Sequence, residues 1–487
     1  MASFSSTEYV IYHPEKLGLS DVFSFFLFGR RLHGSELVEL KTQEAKLTGF
    51  NFITLLTLIL QKILLWLNGP LALLGRVVEF ILNLISLNGG PFKLILHLLT
   101  GKLVIPKRDS AEFRSLIGHI DGRTDLQKPK PFLSFYESSM EKINLSAINM
   151  IDLTMMAAKI VYENEAYVKN VITNHWKMNF VGFYNCWNEY VKGEETQAFI
   201  FTDRPLDAQL IVVAFRGTEP FNGKDWVTDI DLSWLSMGEE MGRVHLGFMK
   251  ALGLQDDKDA KKGWPKTYVG TKRLAYYVIR EQITALLKIN PDAKVIVTGH
   301  SLGGALATLF PSVLMLHQEE SLLKSLYGVY TYGQPRVGDK KFGSYMSGQL
   351  NPIFRRYFRV VYRYDMVPRV PFDDKISQFS HFGGCLYYRS WFKGEVLKEE
   401  PARNYFSLFY LPSKYFNAWL DLFRALFIGF TKGKDYRESL VSILFRVLGL
   451  IIPGAASHSP RDYVNGGRLA KITITEEHEE EEEAILV

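Results

Sequence analysis

The sequence predicts an α/β fold in which helices cover both faces of a mostly parallel β-sheet. Two observations lead to this prediction. From about residue 130 onwards, strand-like apolar runs alternate with runs of helical period. One such strand, "KVIVTG" at residues 294–299, continues through a glycine-rich turn into a helical run. Strands that alternate with helices usually form a parallel sheet, because each helix carries the chain back across one face.

The elements of this α/β domain, which we place at residues 130–475, follow one another in a regular order. The helix candidates are the runs at 149–176 and 271–290 and the run after Ser301. The strand candidates are "FVGFYNCW", "QAFIFTD", "AQLIVVAFRG", "KVIVTG", "SLYGVYTYGQP" and "FRRYFRVVYRYD".

Before this domain, after an N-terminal region of residues 1–48, lies a far more apolar segment, residues 49–105. Its first arm is near the roughly 20 residues that a helix needs to span a bilayer, and we expect Asn68-Gly69-Pro70 to break it from a second arm. Both arms carry charges, which cost about 2.5–3.5 kcal/mol each at the centre of a membrane helix. We therefore expect a hydrophobic hairpin or interfacial helices on a membrane or droplet monolayer. Amphipathic helices packed on the soluble domain are the alternative.

The charge of the chain is unevenly distributed. The whole sequence has 57 bases and 52 acids, but its last twelve residues, 476–487, contain seven glutamates; without these, 45 acids stand against 57 bases, a net charge of +12. We expect a disordered acidic tail on a basic body that suits an anionic lipid surface. The sequence has neither a nucleic-acid-binding motif nor a dense basic stripe, and its two cysteines have no metal-site spacing.

The turn after "KVIVT" has the pattern G-x-S-x-G, formed by Gly299, His300, Ser301, Leu302 and Gly303. A strand precedes it and a helix follows it, which is the context of a nucleophile elbow. The positions two before and two after the serine face each other across the turn, so only very small residues fit there. A phosphate-binding loop is excluded, because no lysine follows the glycines.

A serine attacks only when a histidine takes its proton and an acid orients that histidine, and in this fold the chain order is serine, acid, histidine. Asp365 ends a strand and should lie at the same sheet edge as Ser301, whereas Asp373 and Asp374 lie in a polar loop. His458, in a loop of small residues after the last apolar block, is the favoured base, and His381 is the alternative. We interpret His300 as a structural residue beside the elbow.

The oxyanion that forms during acyl transfer needs two N–H donors. Leu302, the residue after the nucleophile, supplies one. The other is expected from the loop after the strand "IVVAF", where Thr218 could offer its backbone N–H and its hydroxyl.

Seven ordered motifs together resemble the class 3 lipases, the fungal-lipase-like α/β hydrolases. They are "VVAFRGT", "KDWVTDID", "VHLGF", "VTGHSLGGALA", "YTYGQPRVGD", "YRYDMVPRVP" and "HSPRDYVNG". The resemblance covers residues 150–470 and implies an α/β-hydrolase fold, with Ser301 as nucleophile, Asp365 as acid, His458 as base, and Thr218 and Leu302 at the oxyanion. It also implies a lid helix around 224–229 with Trp226 as its apolar anchor, and neither a metal nor an organic cofactor.

The whole chain, with an apolar segment before the lipase domain, resembles the plant oil-body triacylglycerol lipases. This implies hydrolysis of triacylglycerol at a lipid droplet, or on the endoplasmic reticulum membrane. Because two cysteines make a disulfide framework unlikely, we expect the protein to face the reducing cytosol. A phospholipase A1 or galactolipid acyl hydrolase and an inactive droplet-coat protein are the alternatives. One departure from the fungal pattern is a long apolar insertion at 404–454. We expect two amphipathic helices there, which either pack on the core or line an acyl groove and face lipid.

Overall fold

A computed structural model describes residues 8–18, 22, 37–41, 52–127, 149–253, 264–350, 356–371, 378–405 and 407–473. The predicted acidic tail at 476–487 and the alternative acids Asp373 and Asp374 lie outside these residues.

The described part of the chain contains thirteen strands. They are β1 (Tyr9–Tyr12), β2 (Val38–Lys41), β3 (Asn179–Asn188), β4 (Gly193–Thr202), β5 (Leu210–Phe215), β6 (Trp234–Ser236), β7 (Arg243–His245), β8 (Lys294–His300), β9 (Leu326–Tyr332), β10 (Tyr357–Tyr362), β11 (Cys385–Ser390), β12 (Lys393–Leu397) and β13 (Lys471–Thr473).

Nine of these strands form the central sheet, in the order β13-β12-β11-β10-β9-β8-β5-β4-β3. The middle of this sheet, from β5 through β8, β9 and β10 to β11, is parallel. Only β3, β4 and β12 introduce antiparallel pairs. The mostly parallel sheet predicted from the sequence is therefore confirmed. A separate antiparallel sheet, β2-β1-β6-β7, was not predicted.

Fourteen α-helices lie in the described residues. They are α1 (Phe52–Leu87), α2 (Pro91–Leu99), α3 (Leu116–Ile120), α4 (Met150–Ile160), α5 (Glu165–Asn170), α6 (Gly223–Asp229), α7 (Leu246–Leu252), α8 (Ala275–Ile289), α9 (Leu302–Leu316), α10 (Glu320–Ser325), α11 (Lys340–Leu350), α12 (Leu411–Lys432), α13 (Leu440–Ile451) and α14 (Pro460–Leu469).

Helices cover both faces of the central sheet, as predicted. Along β5, Val213 and Phe215 belong to one hydrophobic core, together with apolar residues of α7, α8 and α9. The alternate residues Val212 and Ala214 belong to a second core, which includes α4 and α14. Successive side chains of a strand point to opposite faces, so a strand buried on both faces reads as an uninterrupted apolar run.

The predicted break at Asn68-Gly69-Pro70 is wrong, because α1 continues through Pro70 as one helix of 36 residues. A proline inside a helix removes one N–H···O bond and costs about 3 kcal/mol, which a helix of this length can absorb. By length and composition, Thr54–Leu87 is the one helix among the described residues that could cross a membrane, and 11% of its most apolar stretch is buried. Its first half packs on the α/β domain, because Leu55 and Leu58 share a buried cluster with Leu232 and Trp234 and Gln61 donates to Val227 O.

The insertion at 404–454 forms the two expected helices, α12 and α13, joined by a short turn. The chain after α13 passes through Pro453 and Gly454 to His458, which immediately precedes Ser459, the N-cap residue of α14. A Cβ on Gly454 would lie 2.4 Å from the carbonyl oxygen of Tyr364, so the insertion returns to the sheet beside Asp365.

Candidate active site

Ser301 occupies the turn between β8 and α9. Its φ of 59° and ψ of −133° lie in a region that L-residues rarely adopt. A Cβ on Gly299 would lie 2.1 Å from the carbonyl oxygen of Gly303, and a Cβ on Gly303 would lie 2.1 Å from that of Phe215. Both positions therefore require glycine, and the tight turn sets Ser301 at the carboxyl edge of the sheet with the start of α9 beneath it.

A buried carboxylate and a histidine lie together at the same edge. His458 Nδ1 lies 2.8 Å from Asp365 Oδ2, and Asp365 is completely buried just beyond β10. The backbone N–H of Val367 donates to Asp365 Oδ1 at 2.9 Å. Because the carboxylate can only accept, the proton between the pair belongs to Nδ1, which leaves Nε2 of His458 as the basic nitrogen.

The basic nitrogen of His458 is available for a reacting group. Nε2 is buried and has no hydrogen-bond partner among the described residues. Ser301 is only 2% exposed, so little of its surface is open to solvent. Gly333 closes the site from β9: its φ is +57°, and a Cβ there would lie 2.9 Å from both Asp365 Oδ2 and His458 Cε1.

Tyr463 is a further partner of the acid that the sequence analysis missed. Its hydroxyl donates to Asp365 Oδ2 at 2.5 Å, the same oxygen that faces His458, and accepts from the N–H of Tyr362 at 3.3 Å. Burial, together with the adjacent carboxylate, raises the pKa of Tyr463 well above its usual value. The tyrosine thus remains a proton donor and fixes the carboxylate. Its place on α14, five residues after His458, is the only local signal that could have indicated it.

His300 contacts the candidate base directly. Its ring stacks on His458 with centroids 4.4 Å apart, and its Nε2 lies 2.9 Å from the carbonyl oxygen of His458. A carbonyl only accepts, so Nε2 carries the proton and Nδ1 accepts from the Tyr162 hydroxyl at 2.9 Å. Burial, reinforced by His458, lowers the pKa of His300 well below its usual value. A neutral His300 therefore holds the backbone of His458. No sequence signal indicated Tyr162, because it lies 138 positions away.

The Thr218 loop lies against the nucleophile. A Cβ on Gly217 would lie 2.4 Å from the carbonyl oxygen of His300 and 3.0 Å from Ser301 Cβ. The Thr218 hydroxyl is hydrogen-bonded to Asp229 Oδ2 at 2.7 Å, so the backbone N–H of the loop is the donor that an oxyanion can use without rearrangement of this contact. Burial raises the pKa of Asp229 well above its usual value. Leu302 is the first residue of α9, and the N–H groups of a first helical turn are not used within the helix.

The predicted lid segment forms α6, and α1 lies directly over it. Trp226 is partly buried and its indole N–H donates to Pro220 O at 3.2 Å. Gln61 of α1 donates to Val227 O at 3.3 Å, and the N–H of Lys224 donates to Asn68 Oδ1 at 3.2 Å. The apolar N-terminal helix and the predicted lid segment are therefore in contact.

The alternative base, His381, lies in a different environment. Its Nε2 lies 2.7 Å from Pro368 O and 3.6 Å from Glu400 Oε1, which also pairs with the buried Arg359 through the other carboxylate oxygen. Burial and the neighbouring arginine lower the pKa of His381 to about 3.

The described residues contain no group of three His, Cys, Asp or Glu side chains that could hold a metal ion.

A serine on a nucleophile elbow, beside a buried Asp–His pair at the edge of a parallel sheet, defines a serine hydrolase of the α/β-hydrolase fold. Comparison with known proteins agrees. The model of the family "Lipase (class 3)" matches residues 212–375, which include Ser301 and Asp365 but end before His458.

The triacylglycerol lipase OBL1 of Nicotiana tabacum is 40% identical over 483 residues, covering 87% of this chain and 84% of that protein. The triacylglycerol lipase OBL1 of Ricinus communis is 37% identical over 506 residues, covering 96% of both chains. Among solved structures, lipase II from Rhizopus niveus has 22% identity and a TM-score of 0.36, covering 55% of this chain and 84% of that chain. The chain belongs to the class 3 lipases, and it is a serine hydrolase of carboxylic esters.

Proposed function

We propose that this protein is a triacylglycerol lipase that acts on the surface of lipid droplets through an acyl-enzyme intermediate. The observation that carries the proposal is the chain of contacts from Asp365 to His458, with the free Nε2 of His458 at the edge where Ser301 occupies its strained turn. The substrate class is supported by the printed names of relatives that match over most of the chain.

In the first step, Ser301 Oγ attacks the ester carbonyl while His458 Nε2 takes the hydroxyl proton. Asp365 stabilises the imidazolium that forms, and the oxyanion accepts hydrogen bonds from the backbone N–H groups of Thr218 and Leu302. Collapse of the tetrahedral intermediate breaks the acyl C–O bond, and His458 gives its proton to the departing alkoxide. The products of this half-reaction are a diacylglycerol and an acyl-serine.

In the second half-reaction, water attacks the acyl-serine after losing a proton to His458 Nε2. The same two N–H groups bind the second oxyanion, and the proton returns to Ser301 Oγ as the fatty acid leaves. A structural contribution comes from Tyr463 and His300, which fix the acid and the base respectively. Neither touches the reacting atoms, so both are positioning residues.

Association with lipid is supported by α1, which exposes large apolar side chains to solvent along much of its length. Among them are Trp66 at 81%, Leu73 at 58% and Leu74 at 50% exposure. Exposed apolar surface of this extent is stable only where lipid or another partner covers it. We propose that residues 49–105 anchor the chain to the droplet monolayer on its cytosolic side, and that α6 with Trp226 acts as the lid over Ser301.

The test compares the hydrolysis of two substrates by the wild-type protein and by Ser301→Ala. Fatty-acid release is measured from a triolein emulsion and from phosphatidylcholine vesicles at equal ester concentration. We expect release from triolein to dominate in the wild type and to vanish in the variant. Faster release from phosphatidylcholine would favour a phospholipase instead. Equal release by both proteins would contradict the assignment of Ser301, and no release by the wild type would favour an inactive coat protein.

A further inference from the structure

We propose that α12 and α13 form a second lipid-binding surface, separate from α1, which inserts side chains of the catalytic domain among the acyl chains of a phospholipid monolayer. We call residues 408–452 the helical hairpin. This inference extends the lipid-surface part of the proposed function, but it concerns binding and does not depend on the triad.

The outer face of α12 is aromatic. Its most exposed large residues recur at intervals of three and four positions and therefore lie on one side of the helix. They are Phe416 at 65%, Trp419 at 57%, Phe423 at 64%, Phe427 at 51% and Phe430 at 86% exposure. No charged residue lies within this row.

The inner face of α12 is held by polar contacts. Asp421 is 3% exposed, and its Oδ1 accepts from Arg363 Nη1 and from the Tyr362 hydroxyl, both at 3.1 Å. Arg363 follows β10, two residues before Asp365. Because these buried charges anchor one side of the helix to the sheet, the aromatic side is turned outward.

The second helix, α13, has the same inverted arrangement. Arg446 is 2% exposed and pairs with Glu438 at 2.6 Å and with Asp462 at 2.8 Å. On the opposite side, aliphatic residues recur at intervals of three and four. They are Leu440 at 73%, Leu444 at 61%, Val447 at 45% and Ile451 at 71% exposure.

The distribution of exposed charge identifies lipid as the occupant. The exposed bases Lys432, Lys434 and Arg437 lie at the connecting turn, where the only exposed acid is Asp435. Aromatic and aliphatic side chains bounded by bases are typical of segments that lie in the interface of an anionic phospholipid layer. The only polar side-chain atom within the aromatic row is the indole nitrogen of Trp419, and tryptophan is enriched where a membrane meets water.

The hairpin is connected to both other functional regions. Ser439 at the start of α13 donates to His119 O of α3 at 2.7 Å, and the N–H of Leu116 of α3 donates to Glu79 of α1 at 3.2 Å. The two apolar elements therefore flank the same short helix. After α13, six residues lead to His458. Insertion of the hairpin would hold this catalytic loop at the lipid surface.

Site-specific fluorescence on the full chain tests the proposal. The natural cysteines, Cys186 and Cys385, are buried, so an environment-sensitive NBD label can be directed to Phe427→Cys on the hairpin. Val269→Cys is the matched control, because Val269 is 98% exposed and lies outside the hairpin. Each labelled protein is mixed with triolein droplets coated with phosphatidylcholine and phosphatidylserine, and hydrolysis of a short soluble ester verifies folding.

We expect the label at 427 to shift to the blue and to be quenched at least twofold by phosphatidylcholine with brominated acyl chains, while the label at 269 stays accessible to aqueous iodide. A label at 427 that remains accessible to iodide on bound protein would overturn the proposal. A blue shift that requires only a higher protein concentration, without lipid, would also overturn it, because the hairpin would then contact a second copy of the chain.

A second measurement removes the apolar face. In flotation with the same droplets, Trp419→Ser/Phe423→Ser/Phe430→Ser should partition at least 10-fold more weakly than the wild type. The matched control is Leu206→Ser/Val269→Ser/Ile289→Ser, which removes three exposed apolar residues elsewhere in the domain and should partition like the wild type. Equal partitioning of both triple variants would contradict a lipid-binding role for the hairpin.

Discussion

Helices α8 and α12 belong to the same domain and are both amphipathic, but they are oriented in opposite senses. In α8 the apolar residues Tyr276, Ile279 and Ile283 are buried against the sheet, and Glu281 and Lys288 face water. In α12 the charged Asp421 is buried, whereas Phe423 is 64% exposed. The hydrophobic period of a sequence thus indicates that a helix has two faces, but not which of them is turned inward.

Long-range partners decide the orientation. Asp421 turns inward because Arg363 and Tyr362 lie at the end of β10 to receive it, and Arg446 turns inward because Glu438 and Asp462 surround it. A buried charge is costly unless it is paired, so these contacts specify the position of the hairpin more strongly than its apolar residues do. The charged inner faces of α12 and α13 therefore pack against the sheet, and their apolar outer faces form the surface that we propose binds lipid.

The largest expected effect is on hydrolysis and distinguishes the active site from the lipid-binding surface. Ser301→Ala should lower ester hydrolysis about 10⁵- to 10⁶-fold, because the nucleophile of such a triad carries most of its rate enhancement. The variant should still float with lipid droplets as the wild type does. Loss of both activities together would mean that the catalytic edge and the lipid-binding surface are not separate.

The contribution of the buried charges to the stability of the hairpin can be tested by a substitution on its inner face. Arg446→Ala removes the guanidinium that bridges the buried Glu438 and Asp462 and should lower the free energy of unfolding by about 3–5 kcal/mol. Leu444→Ala, two positions earlier on the outer face, is the control and should change it by less than about 0.5 kcal/mol. Urea denaturation measures both values, and a larger effect at Leu444 would reverse the assignment of the faces.

Truncating an apolar residue in each of the two helices sharpens the comparison. Ile279→Ala in α8 removes a completely buried side chain and should cost about 2–5 kcal/mol of stability. Phe423→Ala in α12 removes a larger but exposed side chain and should cost less than about 0.5 kcal/mol in the absence of lipid. Similar losses in thermal unfolding of the two variants would show that the outer face of α12 is covered by protein.

The smallest effect concerns the network behind the base. Tyr162→Phe deletes the hydroxyl that donates to His300, a bond worth about 0.5–1.5 kcal/mol, and should lower kcat on a short soluble ester about 2- to 10-fold with KM unchanged. Tyr277, on α8 and away from the site, donates a comparable hydrogen bond to Pro265 O. Tyr277→Phe removes this bond and serves as the control. An unchanged kcat in Tyr162→Phe would remove His300 from the set of positioning residues.

Local signals predicted much of the fold. Continuous apolar runs marked β5 and β8, and largely apolar runs marked β9 and β10, because strands buried on both faces need no polar alternation. The elbow at Ser301 could also be found from the sequence, because the close approach of Gly299 to Gly303 occurs within one turn. Chain order then directed attention to Asp365 and His458, which the structure brings within 2.8 Å of each other.

Features that depend on distant contacts could not be predicted. Pro70 indicated a helix break, but the surrounding helix tolerates it. The small antiparallel sheet pairs β1 with β6, more than 200 positions apart, and neither short strand has a strong pattern of its own. The contact between Tyr162 and His300 and the inward turn of Asp421 likewise depend on partners that no local period indicates.

The most direct test of the central claim is to label the wild-type protein with a fluorophosphonate, which reacts with a serine activated by a histidine, and to identify the modified residue by peptide mass spectrometry. We expect a single adduct on Ser301, which is lost in His458→Ala although that variant remains folded. Labelling of a different serine, or undiminished labelling of Ser301 in the absence of His458, would contradict it.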